Sequence, residues 1–182
     1  GKVLNTFEKD LADIIENQEI KNMLLTFGCG VGELTNLKNL RYNKIIIATD
    51  RDPDGHHISL LLLSFFLQHL RPLIIKGLVY RSLTPLYGIT KGKERIFFYS
   101  DDELNAYTKK NGIPAHIDRF KGLGAHSKEE IEEFMVNDKT RKLEQLTTDD
   151  LNETLKVFNA MMGSNLELRK ILIRFKNKIL NV

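Results

Sequence analysis

Residues 45–57 read IIIATDRDPDGHH, and this stretch decides the fold. Its β-branched start predicts a buried strand, and the apolar residues 58–70 that follow predict a helix. Three aspartates stand between the two elements: Asp50, Asp52 and Asp54. Because ligands of α/β proteins bind at the carboxyl ends of strands, the sequence predicts a functional site at this junction.

The crowding of these carboxylates indicates a bound cation. Three neighbouring negative charges repel one another and resist burial unless a cation compensates them. All-oxygen ligation suits a hard ion such as Mg²⁺, for which Mn²⁺ or Ca²⁺ can substitute. Such an ion keeps several waters and binds through a few carboxylates together with phosphate oxygens.

Other interpretations compete for the same loop. An EF-hand also opens with D-x-D-x-D-G, but it needs a glutamate at its twelfth position, where this chain has Leu61. A phosphatase of the haloacid-dehalogenase type would use Asp50 as nucleophile and Asp52 as acid/base, although Asp54 replaces the expected Thr or Val. A solvated turn, with Asp54 near the N-cap of the helix, is the third interpretation.

Composition narrows the class of protein without identifying it. The chain has 182 residues, of which 42% are hydrophobic and 28% charged, as is ordinary for a globular protein. Its single cysteine, Cys29, excludes a disulfide framework and fits a reducing compartment. A net charge of +3 permits a local basic face but does not by itself indicate nucleic-acid binding.

Strand and helix patterns alternate along the chain and end in a helical tail, which predicts an α/β fold. Ser100 is expected to cap a helix, with Glu103 completing a capping box. Helices are predicted within 6–26 with a break near Asn17, and over 58–70, 100–109, 127–136 and most of 149–180; strands are predicted over 45–49, 77–83, 87–90, 95–99, 116–120 and 139–146.

A second motif, RFKGLG at residues 119–124, places two cations before a turn with two glycines. Glycine lets a backbone approach a ligand closely, and a helix that starts nearby attracts phosphate. Arg119 and Lys121 are therefore candidates to hold a polyanion, although a solvated loop explains the same residues. His57 could reach a phosphate or orient an aspartate, but local packing is the simpler interpretation.

At these residues the chain resembles the Toprim region of type IIA DNA topoisomerases, the family of gyrase B, the E subunit of topoisomerase IV, and the eukaryotic and phage enzymes. The matching stretches occur in family order: residues 1–5 (GKVLN), 27–32 (FGCGVG), 40–42 (LRY), 49–58 (TDRDPDGHHI), 84–87 (TPLY), 119–124 (RFKGLG), and Met162-Gly163 followed by Arg169. The resemblance implies a Rossmann-like parallel sheet flanked by helices over residues 1–138 and a mostly helical C-terminal tail over 139–182.

The chain also departs from the family pattern. The family's catalytic glutamate, with the first Toprim strand, is expected upstream of Gly1, so we expect the chain to be inactive alone. Arg51 and Pro53 occupy variable positions between the acids, and His56 replaces a small residue. The sequence after Gly124 is closer to the eukaryotic and phage pattern than to that of gyrase.

The resemblance implies roles for individual residues. Asp50 and Asp52 would bind Mg²⁺ directly and Asp54 through water or from a second shell, and Asp50, Asp52 and Lys121 would be the catalytic residues. Lys2, His57, Arg119 and Lys121 would face the phosphates of double-stranded DNA.

The resemblance also implies partners. The nucleophilic tyrosine would come from a breakage subunit, either gyrase A or the C subunit of topoisomerase IV. ATP would be bound by an N-terminal ATPase segment and not by this one. No membrane partner is expected, and the compartment would be the cytoplasm of a bacterium or a phage-infected host. A non-catalytic module that only docks the breakage subunit is the alternative function.

Overall fold

The computed structural model describes residues 2–179, with side chains up to residue 174, and it confirms the α/β class. Gly1 and residues 180–182 lie outside the described residues. The matching stretch 1–5 includes Gly1, and the predicted helical segment 149–180 ends at residue 180. The elements are α1 (Leu11–Ile15), α2 (Gln18–Phe27), β1 (Ile45–Ile47), α3 (Pro53–His69), α4 (Arg71–Ile75), β2 (Val79–Ser82), β3 (Tyr87–Lys91), β4 (Glu94–Phe98), α5 (Asp101–Asn111), β5 (Asp118–Arg119), α6 (Lys128–Ile131), β6 (Leu143–Gln145), α7 (Leu151–Met162) and α8 (Leu166–Ile179).

The chain divides into two compact units. One contains the described parts of residues 1–45, 60–79 and 146–182, and the other contains residues 46–59 and 80–145. Both sequence motifs belong to the second unit, whereas the predicted DNA contact Lys2 belongs to the first.

The first unit has an aromatic and aliphatic core. The rings of Phe27 in α2 and Phe66 in α3 lie 5.9 Å apart. The break predicted near Asn17 is confirmed, because the Asn17 side chain accepts a hydrogen bond from the Ile20 N–H and caps α2. The most buried apolar side chains of this unit include Ile14, Ile20, Phe65, Phe66, Leu70 and Leu73.

Two small sheets organise the second unit. One has the strand order β1-β2-β6, with β2 and β6 antiparallel, and the sheet structure includes a parallel pair as predicted. The other has the order β4-β3-β5 and is antiparallel throughout. Gly92, at φ +65°, closes the β3–β4 hairpin in a conformation that favours glycine.

Several predicted elements differ from those observed, among them the following three. α3 begins at Pro53 and not at residue 58, because proline is pre-organised for the first helical position. The strand predicted over 116–120 forms ladder pairs only at Asp118–Arg119. The helix predicted over 127–136 is α-helical for one turn and then widens into a π-turn over Glu132–Val136, where Phe134 is buried.

The predicted cap of α5 is partly confirmed. The Ser100 hydroxyl accepts a hydrogen bond from the Glu103 N–H at 3.1 Å. The Glu103 carboxylate accepts from the N–H of Tyr99 and not from that of Ser100, so it reaches one residue beyond the capping-box position.

The Asn17 cap gives a stability prediction. Asn17→Ala should lower the free energy of unfolding by about 1 kcal/mol, because it removes the acceptor for the Ile20 N–H. Asn17→Gly should cost only a few tenths of a kcal/mol, since glycine leaves the helix end open to water. Urea unfolding measures both, and equal losses would show that the cap does not stabilise α2.

Candidate functional site

The acidic loop is fixed at the start of α3 by Asp52. One Asp52 carboxylate oxygen, Oδ1, accepts a hydrogen bond from the Gly55 N–H at 2.7 Å. With Pro53 at the first helical position, this is the geometry of a helix N-cap. The capping group is therefore Asp52, whereas Asp54 lies exposed in the first turn.

Gly55 allows the loop to fold closely onto this turn. A Cβ atom at Gly55 would lie only 2.1 Å from the backbone oxygen of Asp50. No side chain fits there, so the requirement for glycine is steric. This close approach fixes the backbone of Asp50 next to the helix start.

The Asp50 carboxylate joins the two sequence motifs. Its Oδ1 accepts a hydrogen bond from the backbone N–H of Leu123 at 2.7 Å. A Cβ atom at Gly122 would lie 3.0 Å from the same carboxylate, so glycine provides the space for the contact. The acidic loop and the turn at residues 121–124 therefore form one structure.

This contact corrects one expectation about the turn. The turn is a 3₁₀ turn over Leu123–Ala125, and α6 begins only after the N-cap Ser127. The Leu123 N–H points at Asp50, so it is not a free donor for phosphate. Phosphate contacts from this turn would therefore not use the Leu123 N–H.

Arg51 anchors the loop from its other side. Its Nη1 donates hydrogen bonds to the backbone oxygens of Thr84 and Tyr99, both at 2.9 Å. Burial, and to a lesser degree the nearby Arg81, lowers the pKa of the Arg51 guanidinium. Sequence reasoning missed this residue, because both acceptors lie more than thirty positions away along the chain.

The predicted phosphate contacts have different surroundings. Arg119 and Lys121 are exposed, and the Arg119 guanidinium lies 6.0 Å from the centre of the Tyr87 ring. Because α3 begins early, His57 lies one turn inside it and is partly buried. Lys2 is exposed in the first unit.

An aromatic clamp follows the turn. The His126 side chain, only 1% exposed, lies between the rings of Phe120 and Phe134 at 3.9 and 4.6 Å. Its burial lowers the pKa of His126, although Glu130 acts in the opposite direction. Arg95 is hydrogen-bonded to Glu130, and the clamp flanks the turn that carries Lys121.

The donor set of the acidic loop fits a hydrated hard cation. Within residues 2–179, no three histidine, cysteine, aspartate or glutamate side chains come together closely enough to hold a metal ion. Ligation by all three aspartates of the loop therefore stays a prediction. Asp50 and Asp52 each have one oxygen bound by a backbone N–H, and across the described residues their Oδ2 atoms have no hydrogen-bond donor. Two hard oxygens suit an ion that keeps most of its waters.

Among the described helices, none combines the length and the apolar composition that crossing a membrane would require.

The comparisons with known proteins agree with the resemblance. Residues 1–81 match the Toprim domain, and residues 113–174 match the carboxyl terminus of the DNA gyrase B subunit. These two matches define a region of a type IIA DNA topoisomerase. The chain belongs to the family of gyrase B and topoisomerase IV B subunits.

Individual relatives share about two fifths of their aligned residues with this chain. It is 41% identical to the B subunit of DNA topoisomerase 4 from Streptococcus pneumoniae, with 93% of this chain and 27% of that protein aligned. It is 42% identical to the mitochondrial DNA gyrase B subunit of Arabidopsis thaliana (96% and 24%), and 40% identical to the DNA gyrase B subunit of Thermotoga maritima (93% and 27%). The chain spans about a quarter of the length of these relatives, and the predicted division at residue 138 stays a prediction.

Substitution of the two glycines of the turn tests the contact between the motifs. Gly122→Ala should destabilise the chain by about 1 kcal/mol, since the new methyl group crowds the Asp50 carboxylate. The NMR signal of the Leu123 amide should shift as its hydrogen bond lengthens. Gly124→Ala is the matched control, because a Cβ there meets nothing within 4 Å. Equal effects of the two variants would contradict the proposed packing.

The aromatic clamp predicts a pH dependence of stability. Because the pKa of His126 is lowered in the folded chain, the unfolded chain takes up a proton first, near its ordinary pKa of about 6.5. The contribution of His126 to the free energy of unfolding should therefore be fully present above that pH. It should decrease as the pH falls below it, by at most about 1.4 kcal/mol per pH unit. Arg95 lowers the pKa of Asp118 below its ordinary value of 3.8. Asp118 therefore changes the free energy of unfolding only at pH values near and below 3.8, outside the range measured.

Urea unfolding at pH 7.5 and 5.5 checks this expectation. His126→Phe should show a smaller loss between the two pH values than the unchanged chain, because the variant cannot titrate there. Burial also lowers the pKa of His69. Because His69 is present in both the unchanged chain and His126→Phe, its effect cancels when their losses are compared. An unchanged loss in His126→Phe would refute the assignment.

Proposed function

We propose that this chain is the part of a type IIA DNA topoisomerase that holds a divalent cation and the DNA backbone at the site of strand cleavage. The hydrogen bond from the Leu123 N–H to Asp50 is the observation that supports it most directly. That bond holds the Asp50 carboxylate, which we propose to bind the metal, beside the turn that carries Lys121. Metal and phosphate recognition would then act on the same piece of DNA.

Asp50 and Asp52 would hold Mg²⁺ through their Oδ2 atoms, with Asp54 acting through water. When bound, the cation would offset negative charge on the phosphate and on the leaving oxygen. Lys121 and Arg119 would bind the DNA phosphates from the exposed side of the turn, and Lys2 and His57 would add further contacts. Lys121 would also offset transition-state charge.

The rest of the reaction would belong to other parts of the enzyme. A tyrosine of a breakage subunit, either gyrase A or the C subunit of topoisomerase IV, would attack the phosphodiester. ATP bound by a separate ATPase segment would drive strand passage. The family and the single buried Cys29 support action in a reducing compartment, such as the cytoplasm of a bacterium or a phage-infected host.

Paired asparagine substitutions test the metal assignment. Asp50→Asn with Asp52→Asn keeps the acceptors for the Leu123 and Gly55 N–H groups but removes both charges. The unchanged chain should bind Mn²⁺ weakly, and paramagnetic broadening should centre on residues 50–55. The double variant should lose this effect, whereas Asp102→Asn, on exposed α5, should retain it. Broadening that survives in the double variant would place the cation elsewhere.

Salt dependence tests the DNA contacts. Replacing Arg119 and Lys121 with glutamine should flatten the slope of log K against log[salt] by about one to two units, since each lost phosphate contact removes about 0.9. The affinity should fall for every duplex sequence alike. The control replaces Lys109 and Lys110 of α5 with glutamine, which removes the same charge. Equal slopes for the two double variants would contradict a specific role of the turn.

A chimaera tests the activity itself. This chain would replace the matching segment of the Streptococcus pneumoniae protein, and the product would be mixed with a breakage subunit, supercoiled plasmid, ATP and Mg²⁺. We expect Mg²⁺-dependent relaxation that is lost on Asp52→Asn. If relaxation persists in that variant, Asp52 only caps α3 and the alternative of a non-catalytic assembly module gains support.

A further inference from the structure

A small polar cavity lies on the second unit, where β1 and β2 end. It measures about 50 Å³. A single water takes on the order of 10–15 Å³ by the same measure, so the cavity has room for several waters or one tetrahedral oxyanion. The polar residues of its wall are Thr49, Asp50, Arg51, His56, Arg81, Ser82 and Thr84.

Positive charge predominates in this wall. Arg51 uses Nη1 for two backbone oxygens, and in the described part of the chain its Nε and Nη2 have no hydrogen-bond acceptor. The Glu103 carboxylate acts on it electrostatically, without a hydrogen bond to it. Arg81 is near enough to act on Arg51 electrostatically. Its Nε and Nη2 form a salt bridge with Glu144, which leaves Nη1 as its donor toward a ligand. A partly buried guanidinium with unpaired N–H donors is costly, and a bound anion that accepts from them would relieve that cost.

A buried hydroxyl group gives the second, independent observation. Ser82 is 7% exposed, and its Oγ has no hydrogen-bond partner among the described residues. Buried hydroxyl groups are almost always satisfied, because an unpaired one costs free energy. Since Ser82 lines the cavity, a ligand oxygen there would accept its hydrogen bond.

We propose that Arg51, His56, Arg81 and Ser82 form a subsite for one phosphate group beside the acidic loop. The guanidinium groups supply charge-assisted donors, and the His56 imidazole and the Ser82 hydroxyl supply further ones. None of these four residues belongs to the proposed metal site or to the basic turn, and His56 departs from the family pattern. The source of the phosphate would be the DNA backbone, an assignment that rests on the proposed function.

Asp50 lies in the same wall and gives the subsite a distinctive charge dependence. Without a cation, its carboxylate repels a phosphate group in the cavity. Asp50→Asn should therefore strengthen phosphate binding in the presence of EDTA, although the same change weakens the proposed metal site. These opposite signs separate the two assignments.

Titration with inorganic phosphate in EDTA tests the subsite in the full chain. Amide signals of residues 51, 56, 82 and 84 should shift in a saturable way. Ser82→Ala and Arg81→Gln should each raise the phosphate dissociation constant about fivefold or more, because each removes a donor. Lys93→Gln, in the β3–β4 turn, removes the same charge as Arg81→Gln and should leave the constant unchanged.

Thermal unfolding shows whether Ser82→Ala weakens phosphate binding through a lost contact or through a loss of folding. Without phosphate, Ser82→Ala should unfold at the same or a higher temperature, since it removes an unsatisfied buried hydroxyl. Phosphate should then stabilise the unchanged chain more than this variant. Unchanged phosphate affinity in both Ser82→Ala and Arg81→Gln, or equal weakening by Lys93→Gln, would overturn the subsite.

A second arm uses a short DNA duplex in EDTA and distinguishes the sources of phosphate. Weaker duplex binding by Ser82→Ala, in proportion to its phosphate defect, supports backbone recognition. If the variant binds inorganic phosphate poorly but the duplex normally, the assignment to DNA is wrong. Loss of duplex binding on substitution of Arg119 and Lys121, with no effect of Ser82→Ala on either ligand, refutes the subsite and leaves the proposed function intact.

Discussion

The hydrogen bond between the Leu123 N–H and the Asp50 carboxylate is the constraint on which the candidate site depends. A charged acceptor makes such a bond stronger than a neutral one. It requires glycine at position 55, where a Cβ would strike the Asp50 backbone, and it is favoured by Gly122, where a Cβ would crowd the carboxylate. Two loops that lie 73 positions apart in the sequence are thereby held as one structure.

The local parts of this structure were predictable from the sequence, because short-range chemistry determines them. Asn17 marks the break between α1 and α2, and Ser100 marks the start of α5. The true start of α3 was missed because the apolar pattern begins only at residue 58. The sequence nevertheless held a signal, since a proline directly after an aspartate is a typical helix start.

The contacts between distant segments were not predictable in the same way. Nothing near Arg51 in the sequence indicates that it binds the backbone oxygens of Thr84 and Tyr99. Likewise, the burial of Ser82 beside Arg81 depends on how β2 pairs with its neighbours. Family resemblance identified the acidic loop and the basic turn, but a residue that departs from the family pattern, such as His56, becomes interpretable only in three dimensions.

Two carboxylates of the loop use one oxygen each for a structural hydrogen bond. Asp50 and Asp52 each bind a backbone N–H through Oδ1, so the loop is held in place by the chain itself. In the proposed function, the Oδ2 atoms would then be the two hard oxygens that remain for a cation. An ion held by so few protein ligands keeps most of its water and takes further oxygens from a phosphate. If the cation binds as we propose, firm metal binding would depend on the nucleic acid, and the cation and the DNA backbone would complete the site together.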